Sequence, residues 1–182
     1  KTACKPCAEP KDYQDESGQV SCKTCMAKSY RGSATSCLEC PPGYKCADGS
    51  AKAACAAGSF ADASGTESCT ACLAGQFQTK TGKPACMACA AGTKGDGLDQ
   101  SLAAYCTACD AGQYSAAGVT SCSNCAAGQH QPADAQDKSA CKQCEAPKDY
   151  QDETGQPSCK TCLEKFYRGS ATSCLECPPG HK

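Results

Sequence analysis

The sequence predicts a fold of small disulfide-rich repeats, arranged as an elongated ladder of short β-hairpins and loops. We expect little helix and no large hydrophobic core. The chain has 22 cysteines in 182 residues, has no Trp, and contains only 5% aromatic residues. Such a cysteine content is typical of secreted disulfide scaffolds, and a chain of this length lacks the apolar side chains for an ordinary core. Covalent cross-links are therefore expected to replace the core.

The cysteines form a series of Cys-x-x-Cys pairs, mostly 15 to 20 residues apart: 4/7, 22/25, 37/40, 69/72, 86/89, 106/109, 122/125, 141/144, 159/162 and 174/177. A redox motif is usually a single pair beside a βαβ pattern, which is lacking here. Zinc remains an alternative on spacing alone, but a zinc site usually has a helix or a small apolar cluster beside the metal. The chain has two His, and each pair serves two neighbouring repeats. We therefore predict structural disulfides, with no metal and no cofactor.

A second, longer period identifies the domain organisation. Residues 1–45 realign onto residues 138–182 at an offset of 137, and 35 of the 45 positions are identical. The shorter repeats inside this block share little beyond Cys, Gly and an aromatic residue. The sequence thus predicts one complete super-repeat over residues 1–137 and the start of the next over 138–182, within a tandem array.

Most short repeats carry one or two glycines at regular places. The first follows Cys-x-x and is expected to need a positive φ; it is found at Gly43, Gly58, Gly75, Gly92, Gly112, Gly128 and Gly180. The second precedes the next pair by four residues, at Gly18, Gly65, Gly82, Gly118 and Gly155. Where both occur, the residues between them suffice for one short strand and a tight return, so each repeat is predicted to be a small irregular hairpin or double loop.

Translational consistency of the repeat predicts that the second cysteine of each pair bonds to the first of the next. The predicted bridges are Cys7–Cys22, Cys25–Cys37, Cys55–Cys69, Cys72–Cys86, Cys89–Cys106, Cys109–Cys122, Cys125–Cys141, Cys144–Cys159 and Cys162–Cys174, with Cys40–Cys46 as an extra short loop. Cys4 and Cys177 are then expected to have partners outside these 182 residues. A scheme in which bridges cross between adjacent repeats is the alternative, because cysteine counting alone does not determine connectivity.

The pattern Cys-x-x-Gly-x-Phe/Tyr…Gly-x-x-x-Cys-x-x-Cys, with Cys40-Pro-Pro-Gly and Cys177-Pro-Pro-Gly, resembles the ephrin-receptor-like cysteine-rich repeat. It is more loosely similar to tumour-necrosis-factor-receptor and furin-like repeats. This resemblance implies an elongated extracellular rod that serves as a receptor stalk or a ligand-binding rib. The near-identical super-repeat departs from receptors and is similar to the tandem arrays of protist or algal extracellular fibrous proteins, such as flagellar hairs (mastigonemes).

Aromatic residues occupy a fixed slot two residues after the first glycine, at Phe60, Phe77 and Tyr114, while Tyr30, Tyr44, Phe166 and Tyr167 hold similar places. We expect each ring to cover the disulfide of its own repeat. The alternative is a stripe of rings that contacts a neighbouring strand of a filament. His130 stands in the same slot, where it would pack or face solvent. Tyr13 and Tyr150 lie off the slot and are the better candidates for self-contact.

Charge, hydropathy and the lack of catalytic and glycosylation motifs exclude several classes of function. The net charge is −1 with interleaved signs, so nucleic acid is not an expected partner, and no apolar run reaches the ~20 residues that insert into a membrane. With two His and no paired nucleophile, we expect no enzyme. No Asn-x-Ser/Thr sequon is present, so any glycan is expected to be O-linked through Ser or Thr.

We therefore predict a secreted, cell-surface or flagellar-surface structural protein. Its repeats would form the shaft of a filament, flagellar hair or cell coat. Its partners would be further copies of itself or related cysteine-rich proteins. The alternative is the stalk or ligand-binding ectodomain of a receptor or adhesin.

Overall fold

The computed structural model describes residues 5–96, 99–145 and 147–181. Within these ranges the chain is built from very short strands, most of them two residues long, with one 3-10 turn at Ala103–Tyr105. The predicted class of small disulfide-rich repeats with little helix is confirmed. Regular structure is short because each disulfide-closed loop has room for only one hairpin.

The strands pair with their sequence neighbours in two-stranded sheets. In chain order they are β1 (Asp12–Tyr13), β2 (Lys23–Thr24), β3 (Ser29–Ser33), β4 (Ser36–Glu39), β5 (Tyr44–Lys45), β6 (Ala53–Ala54), β7 (Ser59–Phe60), β8 (Thr70–Ala71), β9 (Gln76–Phe77), β10 (Met87–Ala88), β11 (Thr93–Gly95), β12 (Cys106–Ala108), β13 (Gln113–Tyr114), β14 (Ser123–Asn124), β15 (Gln129–His130), β16 (Lys142–Gln143), β17 (Asp149–Tyr150), β18 (Lys160–Thr161), β19 (Phe166–Ser170) and β20 (Ser173–Glu176).

The second strand of a typical hairpin is formed by the two residues inside a Cys-x-x-Cys pair. In the β13–β14 hairpin, Gln113 lies opposite Asn124 and Tyr114 lies opposite Ser123. Ser123 and Asn124 are the residues between Cys122 and Cys125. The recurring spacing of the motif therefore has a structural reason, because its two middle residues complete one hairpin while its second cysteine begins the next loop.

The chain divides into two compact units. The first comprises Lys1–Met87 with Asp99–Ala103, and the second comprises Ala88–Leu98 with Ala104–Lys182. The buried apolar residues within the described ranges are mostly half-cystines: Cys25, Cys40, Cys46, Cys55 and Cys72 with Ala61 in the first unit, and Cys89, Cys109, Cys125, Cys144 and Cys162 with Tyr105 in the second. Sulfur thus supplies the core of each unit. The super-repeat boundary at residue 137 concerns sequence repetition and stays a prediction.

Candidate functional site

The functional feature of this chain is the stack of disulfide-closed loops, which we call rungs and name by their two cysteines. In the described residues the bridges are Cys7–Cys22, Cys25–Cys37, Cys40–Cys46, Cys55–Cys69, Cys72–Cys86, Cys89–Cys106, Cys109–Cys122, Cys125–Cys141, Cys144–Cys159 and Cys162–Cys174. The structure thus brings together the pairs of the translational scheme rather than those of the crossed scheme. Cys4 lies outside the described residues, and Cys177 is a half-buried free thiol.

Backbone hydrogen bonds join neighbouring rungs within a unit. In the second unit, the Gly112 N–H donates to the Gln131 carbonyl at 2.8 Å, and the Gly155 N–H donates to the Cys125 carbonyl at 2.8 Å. The Gln131 N–H donates to the Gln156 carbonyl at 3.1 Å. These bonds link rung 109–122 to rung 125–141, and rung 125–141 to rung 144–159. A rung therefore satisfies its backbone groups only in the presence of its neighbours.

Contacts also reach two rungs ahead, and they explain the first glycine of the repeat. Gly112 has a φ of +78°, as the turn prediction requires. A Cβ at Gly112 would overlap the carbonyl group of Gly155 in rung 144–159. The first glycine of rung 109–122 is thus needed both for its backbone conformation and for the close approach of a loop two rungs further on.

In two rungs the first glycine is replaced by lysine. Lys28 and Lys165 have φ values of 76° and 72°, a conformation that costs an L-residue about 1–2 kcal/mol relative to glycine. Lysine is not a typical turn residue, so the turn prediction missed both positions. The alignment of Cys-x-x-Lys with the Cys-x-x-Gly of the other rungs could have indicated the positive φ at these two positions.

A glutamine directly after the first strand of a hairpin holds several rungs closed. Gln151 is 2% exposed; its Nε2 donates to the Ser158 carbonyl at 2.8 Å and its Oε1 accepts from the Glu153 N–H at 3.1 Å. Gln78 makes the same two contacts within rung 72–86, to the Ala85 carbonyl and the Lys80 N–H. These residues were not predicted from the sequence, although the recurrence of glutamine after an aromatic residue was a usable signal.

Gln14 is the counterpart of Gln151 at the offset of 137, and it provides a matched test. It bonds to the Ser21 carbonyl and the Glu16 N–H in the same way, but it is only half-buried. We expect Gln151→Met to cost about 1–3 kcal/mol, because buried backbone groups lose their partners. Gln14→Met should cost less, since water can replace the amide there.

Amide hydrogen exchange measures both effects. The Glu153 amide should exchange much faster in Gln151→Met, whereas the Glu16 amide should change little in Gln14→Met. Equal acceleration at the two amides would contradict a role for burial.

His130 occupies the aromatic slot of rung 125–141, and its ring lies against the disulfide of the next rung. Its Nδ1 is 3.1 Å from Cys159 Sγ and 4.0 Å from Cys144 Sγ. At this position the slot residue therefore covers the following rung's bridge, whereas the prediction for the slot placed it over its own. The reason is that the strand carrying His130 lies against the next rung, since the N–H groups of Gly128 and Gln131 on either side of it donate to carbonyls of rung 144–159.

The group formed by His130, Cys144 and Cys159 is spaced closely enough to hold a metal ion. Its donors do not fit zinc, however, because the two sulfurs are bonded to each other and a zinc ligand must be a thiolate. The ring is better understood as packing on a disulfide in place of an apolar core.

Exposed ion pairs close two equivalent loops. The Lys23 ammonium lies 2.6 Å from Asp15, and the Lys160 ammonium lies 2.6 Å from Asp152. Hydrogen bonding to the lysine lowers the pKa of each aspartate below its ordinary value. Stability from these pairs is therefore present above the ordinary aspartate pKa and is lost as the pH falls through the lowered one. Because all four groups face solvent, the effect is small.

The predicted self-contact residues Tyr13 and Tyr150 are both half-buried. Tyr150 lines a small groove together with Thr161, Leu163, Phe166 and Cys174. Self-contact by either tyrosine stays a prediction.

Taken together, short hairpins, a sulfur core and rung-to-rung backbone bonding define a cysteine-rich repeat protein of the extracellular type. A family model described as tyrosine-protein kinase ephrin type A/B receptor-like matches residues 58–99. The comparison with curated proteins found no match. Among the described residues, no helix is long and apolar enough to cross a membrane. Dense disulfides together with this match indicate an extracellular or cell-surface chain.

Proposed function

We propose that this chain is a structural segment whose rungs form the rod-like shaft of a filament, flagellar hair or cell coat through self-association. The observation that carries the proposal is that rungs form backbone hydrogen bonds with the next rung and pack closely against the rung after it. Gly155 illustrates it, because its N–H bonds to Cys125 and its carbonyl lies against Gly112. Such a chain resists extension, since a rung cannot leave the stack without breaking contacts with several others.

In this proposal, the disulfides limit how far the chain can extend under tension. The bridge Cys125–Cys141 closes a loop with a sequence separation of 16. Fully extended, this loop would be about 50 Å long. Under tension the oxidised rung cannot release this length. The proposed role is thus mechanical rather than catalytic, and the proposed partners are copies of the same chain or related cysteine-rich proteins, with any glycans carried on Ser or Thr.

Electron microscopy of the native material tests the proposal. An antibody raised against Lys11-Asp-Tyr-Gln-Asp, which recurs at Lys148, should label fibres at a constant axial interval that matches one super-repeat. An antibody against a segment that does not recur within the chain, such as residues 93–103, should label with the same interval and a fixed phase shift. Label confined to the cell surface, without periodic fibres, would contradict the filament role.

The second candidate is the stalk or ligand-binding ectodomain of a receptor or adhesin, and the family match over residues 58–99 favours it. The two candidates predict different domain contents for the full-length protein. A receptor would combine a few such blocks with a membrane span and a cytoplasmic domain. A filament subunit would carry many near-identical blocks. Mass analysis of the intact native polypeptide, followed by sequencing of its transcript, separates the two.

A further inference from the structure

His130 places a hydrogen-bond donor beside the bridge Cys144–Cys159. Its Nδ1 lies 3.1 Å from Cys159 Sγ and 4.0 Å from Cys144 Sγ, so one ring nitrogen reaches both sulfurs of a single disulfide. The slot residues Phe60 and Phe77 have no polar atom in their rings. Imidazole is the side chain that most often assists bond cleavage by donating a proton or a hydrogen bond near neutral pH. Rung 144–159 thus combines a cleavable bond with a group able to assist its cleavage.

The two sulfurs differ in accessibility, which determines where a thiol can attack. Cys144 is 1% exposed, whereas Cys159 is half-buried. Rungs that follow in the chain do not cover this position, because Cys22, the counterpart of Cys159 at the offset of 137, is exposed although rungs 25–37 and 40–46 come after it. A thiolate attacks the disulfide sulfur that it can reach, so the reaction is expected at Cys159.

We propose that Cys159 is a site of thiol–disulfide exchange with a small monothiol, and that His130 is the catalytic residue. The monothiol's thiolate attacks Cys159 Sγ, and the new S–S bond forms as the bond to Cys144 breaks. Cys144 departs as a thiolate that accepts a hydrogen bond from the His130 Nδ1–H and takes a proton from solvent. Stabilising the departing thiolate in this way speeds the exchange.

A second molecule of the monothiol completes the reduction. Its thiolate attacks the sulfur of the monothiol held on Cys159, the two monothiols leave joined as a disulfide, and the Cys159 thiolate takes a proton from solvent. Both electrons that reduce the bridge therefore come from the monothiol.

This inference goes beyond the proposed function, because it gives one rung of the chain a response to thiols. Reduction would release a loop whose cysteines are 15 residues apart, while the neighbouring rungs 125–141 and 162–174 stay closed. A rung that follows a phenylalanine slot would stay oxidised under the same conditions.

Cleavage of individual bridges in the native oxidised chain tests the proposal, with 2-mercaptoethanol as the monothiol. Iodoacetamide blocks each freed thiol, and peptide mapping locates it. The control is Cys72–Cys86, because Cys72 is 6% exposed, Cys86 is half-buried and the rung before it carries Phe60 in its slot. The bridge Cys144–Cys159 should open at least about tenfold faster, since one well-placed hydrogen-bond donor changes a rate by that factor or more. The early product should carry 2-mercaptoethanol on Cys159 and the blocking group on Cys144.

The slots of rungs 55–69 and 125–141 hold equivalent positions against the rung that follows each of them. The Gly58 N–H donates to the Gln78 carbonyl at 2.7 Å, and the Gly128 N–H donates to the Gln151 carbonyl at 2.6 Å. The slot residues of the two rungs can therefore be exchanged to give reciprocal variants.

His130→Phe keeps an aromatic ring in the slot but removes the donor, so it should slow opening of the bridge in rung 144–159 at least about tenfold. The bridge in rung 72–86 should open at its original rate in this variant. Phe60→His should have the reverse effect, accelerating the bridge in rung 72–86 and leaving the one in rung 144–159 unchanged.

Three results would overturn the proposal. The first is equal opening rates of the two bridges in the unsubstituted chain. The second is a His130→Phe chain whose bridge in rung 144–159 opens as fast as before, or whose slower opening is shared by rung 72–86, which would indicate a change in unfolding. The third is 2-mercaptoethanol mapped to Cys144 instead of Cys159.

Discussion

Replacing Gly112 with alanine should destabilise the chain by about 3 kcal/mol or more. A positive φ costs an L-residue about 1–2 kcal/mol, and forcing a methyl group into a packed site adds about 1–3 kcal/mol. Both terms apply at Gly112, which has a φ of +78° and whose Cβ would overlap the Gly155 carbonyl group. The Gly155 loop cannot simply move away, because its N–H is bonded to Cys125 in the rung between.

Gly18 is the matched control for this substitution. Its φ is +80°, yet nothing lies within 4 Å of a Cβ placed there. Gly18→Ala should therefore cost only the conformational part, about 1–2 kcal/mol. Chemical denaturation of the oxidised proteins, combined with hydrogen exchange at the Gly155 amide, measures both variants. Losses of equal size would show that the contact two rungs ahead contributes nothing.

Removing a central bridge should have the largest effect of all. We expect Cys144→Ala with Cys159→Ala to destabilise the chain by about 4–5 kcal/mol. About 3 kcal/mol comes from opening a loop of 15 residues in the unfolded chain, and the remainder comes from the cavity left under His130. Cys144 is 1% exposed, and the His130 ring lies against its partner sulfur.

The counterpart bridge Cys7–Cys22 separates the contribution of the loop from the contribution of the cavity. It spans the same 15 residues within nearly the same sequence, but Cys7 is half-buried and Cys22 is exposed. Its removal should therefore cost about 3 kcal/mol, the loop term alone. The melting temperatures of the two double variants should differ accordingly, after peptide mapping has verified the remaining bridges. A larger loss at Cys7–Cys22 would contradict the packing argument.

Much of the fold could be predicted because cysteine and glycine act locally. A disulfide needs two Cα atoms within about 7 Å, and loops of 12 to 17 residues closed by a hairpin meet that condition wherever the motif recurs. The positive φ at Gly112 follows from its place after Cys-x-x. These features depend on residues close in sequence, so the repeat pattern alone indicates them.

The sequence by itself determined the class of fold, the short hairpins and the recurrence of one rung. The tertiary structure decided what each rung touches. The carbonyl group that requires Gly112, the amide bonds that bury Gln151 and the bridge that His130 covers all come from stacking. Tyr30 shows why such features escape prediction: the Lys52 ammonium lies 5.1 Å from the centre of its ring, and nothing in the local sequence of Tyr30 indicates that contact.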